Sequence, residues 1–323
     1  MYELLLALTA IIAGCALLYV GGDMLVSAST FIANRIGLSA VAIGATVVAI
    51  GTSAPEFSVS LGAALNNYTD VSVGNVVGSN VCNIILVLGL CALFRPLRAS
   101  RQVYVLDFPV LILVSALFTW MIRDQQISRT EGFVLSAALF AYVLWNLRRA
   151  AEDKGTQELL AEEVSEALGN DRQHWILPAF RTVAGVVCLA LGAKWLVEGS
   201  LQALEPFALS EAAIGVTVVA IGTSVPEIGT SIIAARQGHG DLAVGNAVGS
   251  SVFNLLGVLG FTASIRPLEA RDVNLMDGAI LIAVSLVGLV LLARAGGIRR
   301  IQGSVLIGAY ALYLVAAMIV HQG

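Results

Sequence analysis

The chain has 323 residues, of which 58% are hydrophobic and only 12% are charged, and its formal net charge is −4. A soluble fold of this length could not cover its surface with so few charged side chains, and 18 lysines and arginines are too few to form a patch for a polyanion. These values argue against soluble enzymes, nucleic-acid-binding proteins and disordered scaffolds. The composition therefore predicts an integral membrane protein.

Ten apolar stretches are each long enough to cross a bilayer as a helix, which takes about 20 residues. They are continuous, whereas the strands of a membrane barrel would alternate in shorter segments. No Lys or Arg precedes the first stretch, and it lacks a convincing cleavage site, so we interpret it as a retained span. The predicted spans lie near residues 3–22, 38–64, 71–93, 104–122, 131–147, 176–199, 210–235, 242–264, 274–293 and 302–320.

One polar insertion separates two halves of five spans each. Residues 148–175 contain seven acidic and four basic side chains, with apolar residues at helical spacing. We interpret this insertion as a cytoplasmic acidic linker that includes a short amphipathic helix. The chain is thus divided into a first transmembrane half, residues 1–147, and a second transmembrane half, residues 176–323.

The lysines and arginines distinguish the two faces of the membrane. With ten spans, the loops of one face hold thirteen of these residues and the opposite loops hold four, while Lys194 lies within a span. Basic loops remain on the cytoplasmic side. The sequence therefore predicts a multi-pass protein of the plasma (inner) membrane with both termini outside the cytoplasm.

The remaining cysteine, histidine and aspartate residues receive structural interpretations. The four cysteines lie in apolar stretches without C-x-x-C pairing, which is typical of buried small side chains. The three histidines lie in loops or at ends and are interpreted as ordinary surface residues: His174, His239 and His321. Asp70 and Asp241, in turns between paired spans, are predicted to cap the following helices, as are Asp107 and Asp277 at the starts of later spans.

The two halves contain an internal repeat. Residues 44–89 and 215–260 align without a gap at an offset of 171, and 26 of the 46 positions are identical, including Thr, Ser, Pro, Glu, Asp and Asn. Each copy covers two spans, and five crossings separate the copies. Because five is odd, the second copy is predicted to enter the membrane from the opposite face. Such inverted repeats are typical of secondary transporters, whose substrate site lies near the midplane.

Each copy places one glutamate, Glu56 or Glu227, midway along a predicted span. A bare charge at that depth costs at least ~2.5–3.5 kcal/mol, so it requires a protein interior and a cation, proton or basic partner. No Lys or Arg lies in the interior of either repeat, which leaves a bound cation as the natural partner. In the same copies, Thr52 and Thr223 precede the glutamates by four residues and share their helix face.

A proline immediately before each glutamate is predicted to break the helix. Pro55 and Pro226 lack an N–H and press on the preceding turn, and the flanking Gly-Thr-Ser segments help the backbone to open. We expect the carbonyls around Ala49–Thr52 and Ala220–Thr223 to be freed as oxygen ligands. Irregular backbone at this depth is tolerated only where it lines a protected cavity.

The donor set predicts the class of ion. An all-oxygen cage suits hard cations that accept about six to eight ligands, namely Ca²⁺ and, in smaller sub-sites, Na⁺. Zinc, copper or iron would prefer His or Cys. Besides the glutamates and carbonyls, the candidate ligands are the hydroxyls and amides of Thr52, Ser53, Ser79, Thr223, Ser224, Ser250, Asn83 and Asn254.

The paired G-T-S-x-P-E and V-G-N-x-V-G-S-x-V-x-N motifs resemble the alpha repeats of the calcium/cation antiporter superfamily, most closely its prokaryotic sodium/calcium exchangers. The resemblance implies an all-α fold of ten helices in two inverted five-helix repeats. It also implies Na⁺/Ca²⁺ antiport by alternating access, with no enzymatic activity and no cofactor. Glu56 and Glu227 would be the shared carboxylates, and the sub-sites would be completed by Thr52, Thr223, Ser79, Ser250, Ser53, Ser224, Asn83 and the carbonyls of Ala49 and Ala220.

Two alternatives to this function remain open. Asn254 replaces the aspartate of potassium-dependent relatives, which argues against K⁺ co-transport. Proton-driven relatives usually carry G-N-A-x-E in place of G-T-S-x-P-E, so H⁺/Ca²⁺ antiport is the second choice. A cation channel lined by the same acids is the third, because broken helices alone do not exclude it.

Overall fold

The computed structural model describes residues 2–35, 49–99, 103–152, 176–207, 209–294 and 297–321. These residues are almost entirely helical. The α-helices are α1 Tyr2–Arg35, α2 Ala49–Thr52, α3 Ala54–Leu65, α4 Thr69–Val81, α5 Leu88–Phe94, α6 Phe108–Met121, α7 Arg129–Glu152, α8 Ile176–Leu204, α9 Glu211–Ile214, α10 Ala220–Thr223, α11 Val225–Gln237, α12 Gly240–Phe253, α13 Leu259–Ile265, α14 Leu275–Ala293 and α15 Arg300–Val320.

Short helices of other types connect several of these elements. The 3₁₀ turns are Ile122–Asp124 and Glu205–Phe207. The π-helical segments, with one extra residue per turn, are Cys82–Val87, Val103–Asp107, Gly215–Val219 and Asn254–Val258. Three of these segments, Cys82–Val87, Gly215–Val219 and Asn254–Val258, continue the α-helices on either side of them, so they widen a span locally without ending it.

Nine of the ten predicted spans have helical counterparts. Among the described residues, eight helical stretches are long and apolar enough to cross a membrane, and Glu211–Gln237 is a ninth that bends by 47° at its break. The predicted span 38–64 is described only from Ala49 onward. Residues 153–175 lie outside the described ranges, so the acidic linker and its helix stay predictions.

The second helical stretch of each repeat forms the centre of the molecule. The most apolar part of Thr69–Phe94 is 83% buried and that of Gly240–Ile265 is 72% buried, against 22–44% for the other six unbent stretches of this kind in the described ranges. The outer spans expose large apolar side chains such as Ile12, Phe140 and Leu312. The polar repeats therefore lie inside the protein, where small residues allow close packing, and the apolar spans face outward.

Helices α1 and α8, the first spans of the two halves, cross at very close range. A Cβ atom added at Gly14 would lie 2.7 Å from the backbone nitrogen of Leu196 and 2.9 Å from the carbonyl oxygen of Gly192. A Cβ added at Gly192 would lie 2.9 Å from the carbonyl oxygen of Gly14. Glycine is therefore required on both sides of this crossing.

Contacts between loops agree with the predicted sidedness. Leu97 pairs with Ile298, which joins the loop after the third predicted span to the loop after the ninth. Strand β1 (Gln126–Ile127) pairs antiparallel with strand β2 (Leu268–Glu269), joining the loops after the fourth and eighth spans. Each contact joins loops on the same face of a ten-span layout. The small sheet itself departs from the all-α prediction, because its backbone partners come from loops distant in sequence.

Three of the four predicted aspartate caps are wrong. Helices α4 and α12 begin without a side-chain cap, and the Asp70 carboxylate instead accepts hydrogen bonds from the backbone N–H groups of Asp272 (2.9 Å) and Val273 (3.3 Å). Asp241 is exposed. Asp107 precedes α6 but makes no side-chain cap, and its carboxylate accepts from the hydroxyl of Tyr142 at 3.1 Å. The fourth prediction is confirmed, because Asp277 accepts from the N–H of Asn274 in a capping box at the start of α14.

The interpretation of His321 as a surface residue is also wrong. His321 is only 5% exposed, and its Nε2 lies 3.0 Å from Oδ1 of Asp277. Its carbonyl accepts a hydrogen bond from the N–H of Ser210. A histidine near the end of a span is buried here because the end of α15 packs against the start of α14.

Candidate ion-binding site

Both predicted helix breaks are present. Helix α2 ends at Thr52 and α3 begins at Ala54, while α10 ends at Thr223 and α11 begins at Val225. The residues between them, Ser53 and Ser224, have nearly equal backbone angles (φ −87°, ψ 9° and φ −82°, ψ 5°). Since each following proline lacks an N–H, the helix cannot continue its hydrogen bonding through this point.

The two glutamates are completely buried at these breaks. Glu56 lies in the first turn of α3 and Glu227 in the first turn of α11, and both are 0% exposed. A helix N-terminus carries a partial positive charge, so each break supplies favourable electrostatics to the carboxylate that follows it. Sequence reasoning missed this contribution, although the proline at the first helical turn is a signal for it.

The two breaks meet in space. The hydroxyl of Ser224 donates to Oε1 of Glu56 at 3.4 Å, although the two residues are 168 positions apart. Ser224 lies three residues before Glu227, so Glu56 contacts the break that precedes the other acid. The structure therefore brings the predicted central acids of both repeats to one locus.

Many oxygen atoms at this locus lack a hydrogen-bond partner, which is rare for buried polar groups. Among the residues that the structure describes, this group includes both carboxylate oxygens of Glu227 and one of Glu56. It also includes the hydroxyl of Ser53 and the amide groups of Asn83 and Asn254. Because unpaired buried oxygen atoms are costly, their grouping indicates a site for a cation.

The asparagines lie in matching irregular segments. Asn83 is the second residue of the π segment Cys82–Val87, and Asn254 is the first residue of Asn254–Val258. Both are 0% exposed. A π turn changes the direction of the side chains that follow it, which is why such segments are frequent at functional sites. The sequence contained no signal for them.

The predicted hydroxyl ligands fall into two environments. Thr223, Ser224 and Ser79 are 0% exposed, and the hydroxyls of Ser79 and Thr223 lie 3.2 Å apart. Ser250 is 6% exposed, whereas Thr52 is partly exposed and lines a cavity. The structure thus groups the hydroxyls around the two breaks but leaves the first repeat's threonine at an open edge.

The carbonyl of Ala220 is not freed in this conformation. It accepts a hydrogen bond from the N–H of Ser224 at 3.1 Å, and the hydroxyl of Thr223 lies 3.2 Å from it. The helix therefore persists to the break itself, and proline removes the donor expected for the carbonyl of Gly222 instead. Ala49, its counterpart in the first repeat, is the first residue of α2.

A cavity leads to the breaks from one side of the molecule. It is bounded by α1, the end of α2, and helices α11 and α12, and Asp23 at its edge is exposed. Its lining includes Gly51, Thr52, Pro55, Pro226, Ser231 and Asn246. It lies toward the end of α11 and the start of α12. Gly240, the first residue of α12, lies beside Arg98 in a loop on the face predicted to be cytoplasmic.

Comparisons with known proteins agree with this geometry. The family model described as sodium/calcium exchanger protein matches residues 6–148 and 178–319. Inner membrane protein YrbG of Escherichia coli (strain K12) is 36% identical over 96% of each chain. Sodium/calcium exchanger MaX1 of Methanosarcina acetivorans is 29% identical over 94% of this chain and 95% of its own.

A solved structure extends the similarity to three dimensions. The sodium-calcium exchanger NCX_Mj, soaked with Na⁺ and Sr²⁺, aligns with a TM-score of 0.64 at 28% identity, covering 97% of this chain and 98% of that chain. The structural similarity therefore covers nearly the whole length of both chains. On these grounds, the chain is a multi-pass membrane protein that belongs to the sodium/calcium exchanger family.

Proposed function

We propose that this protein is a secondary active antiporter that exchanges Na⁺ for Ca²⁺ at one shared site near the middle of the membrane. The observation that carries the proposal is the meeting of Glu56 and Glu227, both fully buried, among unpaired oxygen atoms. The names of the similar exchangers support the choice of ions. The chain acts as a transporter and not as an enzyme.

Charge balance explains how a shared site couples two fluxes. One Ca²⁺ neutralises two carboxylates, and several Na⁺ ions can occupy the same oxygen atoms only when Ca²⁺ has left. Because the two ions exclude each other, each can cross only in exchange for the other. Any net charge moved per cycle would make transport sensitive to voltage, at about 2.3 kcal/mol per charge per 100 mV.

The proposed ligands are the oxygen atoms around the two breaks. The carboxylates are shared by both ions, and the other ligands are Thr52, Ser53, Ser79, Asn83, Thr223, Ser224, Ser250 and Asn254, with the carbonyls of Ala49 and Ala220. The Ala220 carbonyl would bind an ion by releasing, or sharing with the ion, the hydrogen bond that it now accepts from the N–H of Ser224. We expect this change of partner at the Ala220 carbonyl to accompany ion binding.

Alternating access between two inverted halves of five spans is part of the proposal. Helix α4 begins where Asp70 contacts the loop at Asp272, whereas α12 begins where Gly240 is beside Arg98. These loops belong to opposite faces of a ten-span layout, which supports antiparallel repeats. The same layout leaves both termini outside the cytoplasm.

A flux assay tests the choice of counter-ion. The purified protein is reconstituted into liposomes loaded with Na⁺, and uptake of ⁴⁵Ca²⁺ is followed after dilution into Na⁺-free buffer. We expect uptake that depends on internal Na⁺ and collapses when a Na⁺ ionophore removes the gradient. Uptake driven by a pH gradient and indifferent to Na⁺ would instead establish H⁺/Ca²⁺ antiport. Uptake that needs no counter-ion gradient would indicate a channel.

A further inference from the structure

Two equivalent asparagines have different partners in the two repeats. In the first repeat, Asn75 of α4 is 0% exposed and donates from Nδ2 to the hydroxyl of Ser60 at 2.9 Å. Its Oδ1 accepts a hydrogen bond at 3.1 Å from the hydroxyl of Thr223, which belongs to the second repeat. Asn75 therefore bridges the two halves of the chain at the ion site.

The counterpart in the second repeat is Asn246 of α12, and among the described residues it bonds only to side chains of its own repeat. Its Nδ2 donates to Ser231, the equivalent of Ser60, at the same distance of 2.9 Å. It also donates to Thr230 at 3.2 Å. Asn246 is partly exposed and lines the cavity together with Thr52, the equivalent of Thr223. The cavity therefore lies beside Asn246 and Thr52, the pair that is equivalent to the hydrogen-bonded Asn75 and Thr223.

The walls of the cavity have counterparts that are tightly packed. Gly22, Val26 and Leu242 line the cavity. Their equivalents in the other repeat, 171 positions away in sequence, are Ala193, Val197 and Val71 on the other side of the breaks. These three residues are 3%, 4% and 0% exposed and belong to one apolar cluster. The two sides of the site are thus built from equivalent residues, but one side is open and the other is closed.

We propose that Asn75 and Asn246 are positioning residues that close the two sides of the ion site alternately. Each closes its side by accepting a hydrogen bond from the threonine of the opposite repeat, and we call this bond a latch. The Asn75–Thr223 latch is closed here. In the state that opens to the other face, Asn246 accepts from Thr52 and Asn75 releases Thr223. This inference rests on the proposed alternating access.

The latch also prepares a ligand. A threonine hydroxyl has one proton and two lone pairs. When Thr223 gives its proton to Oδ1 of Asn75, its lone pairs are left for a cation or for Ser79, whose hydroxyl is 3.2 Å away. An asparagine is suited to this role because its Oδ1 can accept from the other repeat while its Nδ2 stays bound to its own.

Thiol labelling of the purified protein in detergent tests the proposal. The four cysteines are replaced by alanine, and single cysteines are introduced as Val71→Cys on the closed side or Leu242→Cys on the open side. The ratio of the labelling rates at these two sites measures the balance between the two states. We expect Asn75→Ala to raise the Val71→Cys to Leu242→Cys ratio about three- to tenfold, and Asn246→Ala to lower it by a similar factor.

The control and partner variants make the test specific. Ser251→Ala removes a buried hydroxyl that bonds only within α12, to Ala247, and is expected to leave the ratio unchanged. Thr223→Val removes the other end of the latch, so it should shift the ratio as Asn75→Ala does, and the double variant should shift it no further. If Asn75→Ala does not fold, Thr223→Val tests the same hydrogen bond in its place.

Shifts in the same direction for Asn75→Ala and Asn246→Ala, or no shift in either, would overturn the proposal. A response confined to Asn75 would overturn the alternation. Labelling requires neither Na⁺ nor Ca²⁺, so its outcome is separate from that of the flux assay. A reciprocal shift in a protein whose Ca²⁺ uptake ignores Na⁺ would keep the latch and reject Na⁺ as the counter-ion.

Discussion

At the residue scale, the central question is how two acids survive in the middle of a membrane protein. Each lies in the first turn of a helix, where backbone N–H groups and the helix dipole favour negative charge. Ser224 adds a hydrogen bond to Glu56 but leaves the other carboxylate oxygen of that residue without a partner among the described residues. These interactions lower the cost of burying the acids, and in the proposed function a bound cation supplies the rest.

Neutralising either acid is expected to abolish transport. Glu56→Gln and Glu227→Gln keep the size of the side chain but cannot balance the charge of a divalent ion. We expect ⁴⁵Ca²⁺ uptake by liposomes to fall to the level of protein-free liposomes in both variants, while membrane insertion is retained. Glu198→Gln, which changes an exposed carboxylate 4.0 Å from Lys194, is the matched control and should transport normally. Normal flux in Glu56→Gln or Glu227→Gln would contradict the proposed site.

Adding a third acid is expected to change ion preference. Asn254 is buried, and its amide has no hydrogen-bond partner among the described residues. Asn254→Asp would place a further carboxylate beside the two glutamates, and three acids in one pocket will bind a proton or an extra cation. Uptake measured against competing cations and over a range of pH should therefore show altered selectivity or a new pH dependence. An unchanged profile would remove Asn254 from the ligand set.

At the element scale, proline and glycine determine how the helices meet. Pro55 and Pro226 turn two spans into broken helices, so four helix ends point into the protein centre. Gly14 and Gly192 allow α1 and α8 to cross with backbone atoms in contact. The breaks create the site, and the close crossing places α1 along the wall of the cavity that leads to it.

A single methyl group at this crossing is expected to be costly. In Gly14→Ala the new Cβ would meet backbone atoms of α8, which cannot move aside as the end of a side chain would. Overpacking of this kind destabilises by about 1–3 kcal/mol. Thermal unfolding in detergent should show a lower midpoint for this variant. Gly308→Ala, on α15, has no atom within 4 Å of its new Cβ and should match the parent protein. Equal midpoints for all three proteins would mean that α1 and α8 are less closely packed than described.

At the scale of the whole molecule, a buried charge pair ties the end of the last span to the rest of the second half. His321 contacts Asp277 at the start of α14, and its carbonyl binds the N–H of Ser210 before α9. The hydrogen bond to Asp277 raises the pKa of His321, against an opposing effect of burial, and the nearby Asp272 raises it further. Protonated histidine is thus favoured in the folded state.

This pair predicts a defined pH dependence of stability. A histidine whose folded pKa exceeds its unfolded value stabilises fully below the unfolded pKa, about 6.5, and that contribution is lost as the pH rises through the folded pKa. The unfolding midpoint of the parent protein should therefore exceed that of His321→Gln most at or below about pH 6, and the difference should shrink at alkaline pH. A difference that is constant with pH would show that His321 contributes by packing alone.

The sequence by itself determined the features that depend on local pattern. Long apolar runs require a membrane, since a helix without polar faces has no other solvent, and nine of the ten predicted spans have helical counterparts. The repeated G-T-S-x-P-E segments identify Glu56 and Glu227 and predict both helix breaks, because proline acts on its own turn. The family is likewise evident from the motifs.

Only the tertiary structure decided which atoms meet across the two halves. The Asn75–Thr223 bond, the π turns at Asn83 and Asn254, the loop contact of Asp70 and the burial of His321 all depend on partners far away in sequence or on local helix geometry that no periodicity encodes. Two repeats that share their site residues do not tell which side of the site is open. The difference between the open and the closed side is determined by how the helices of the two halves pack against each other.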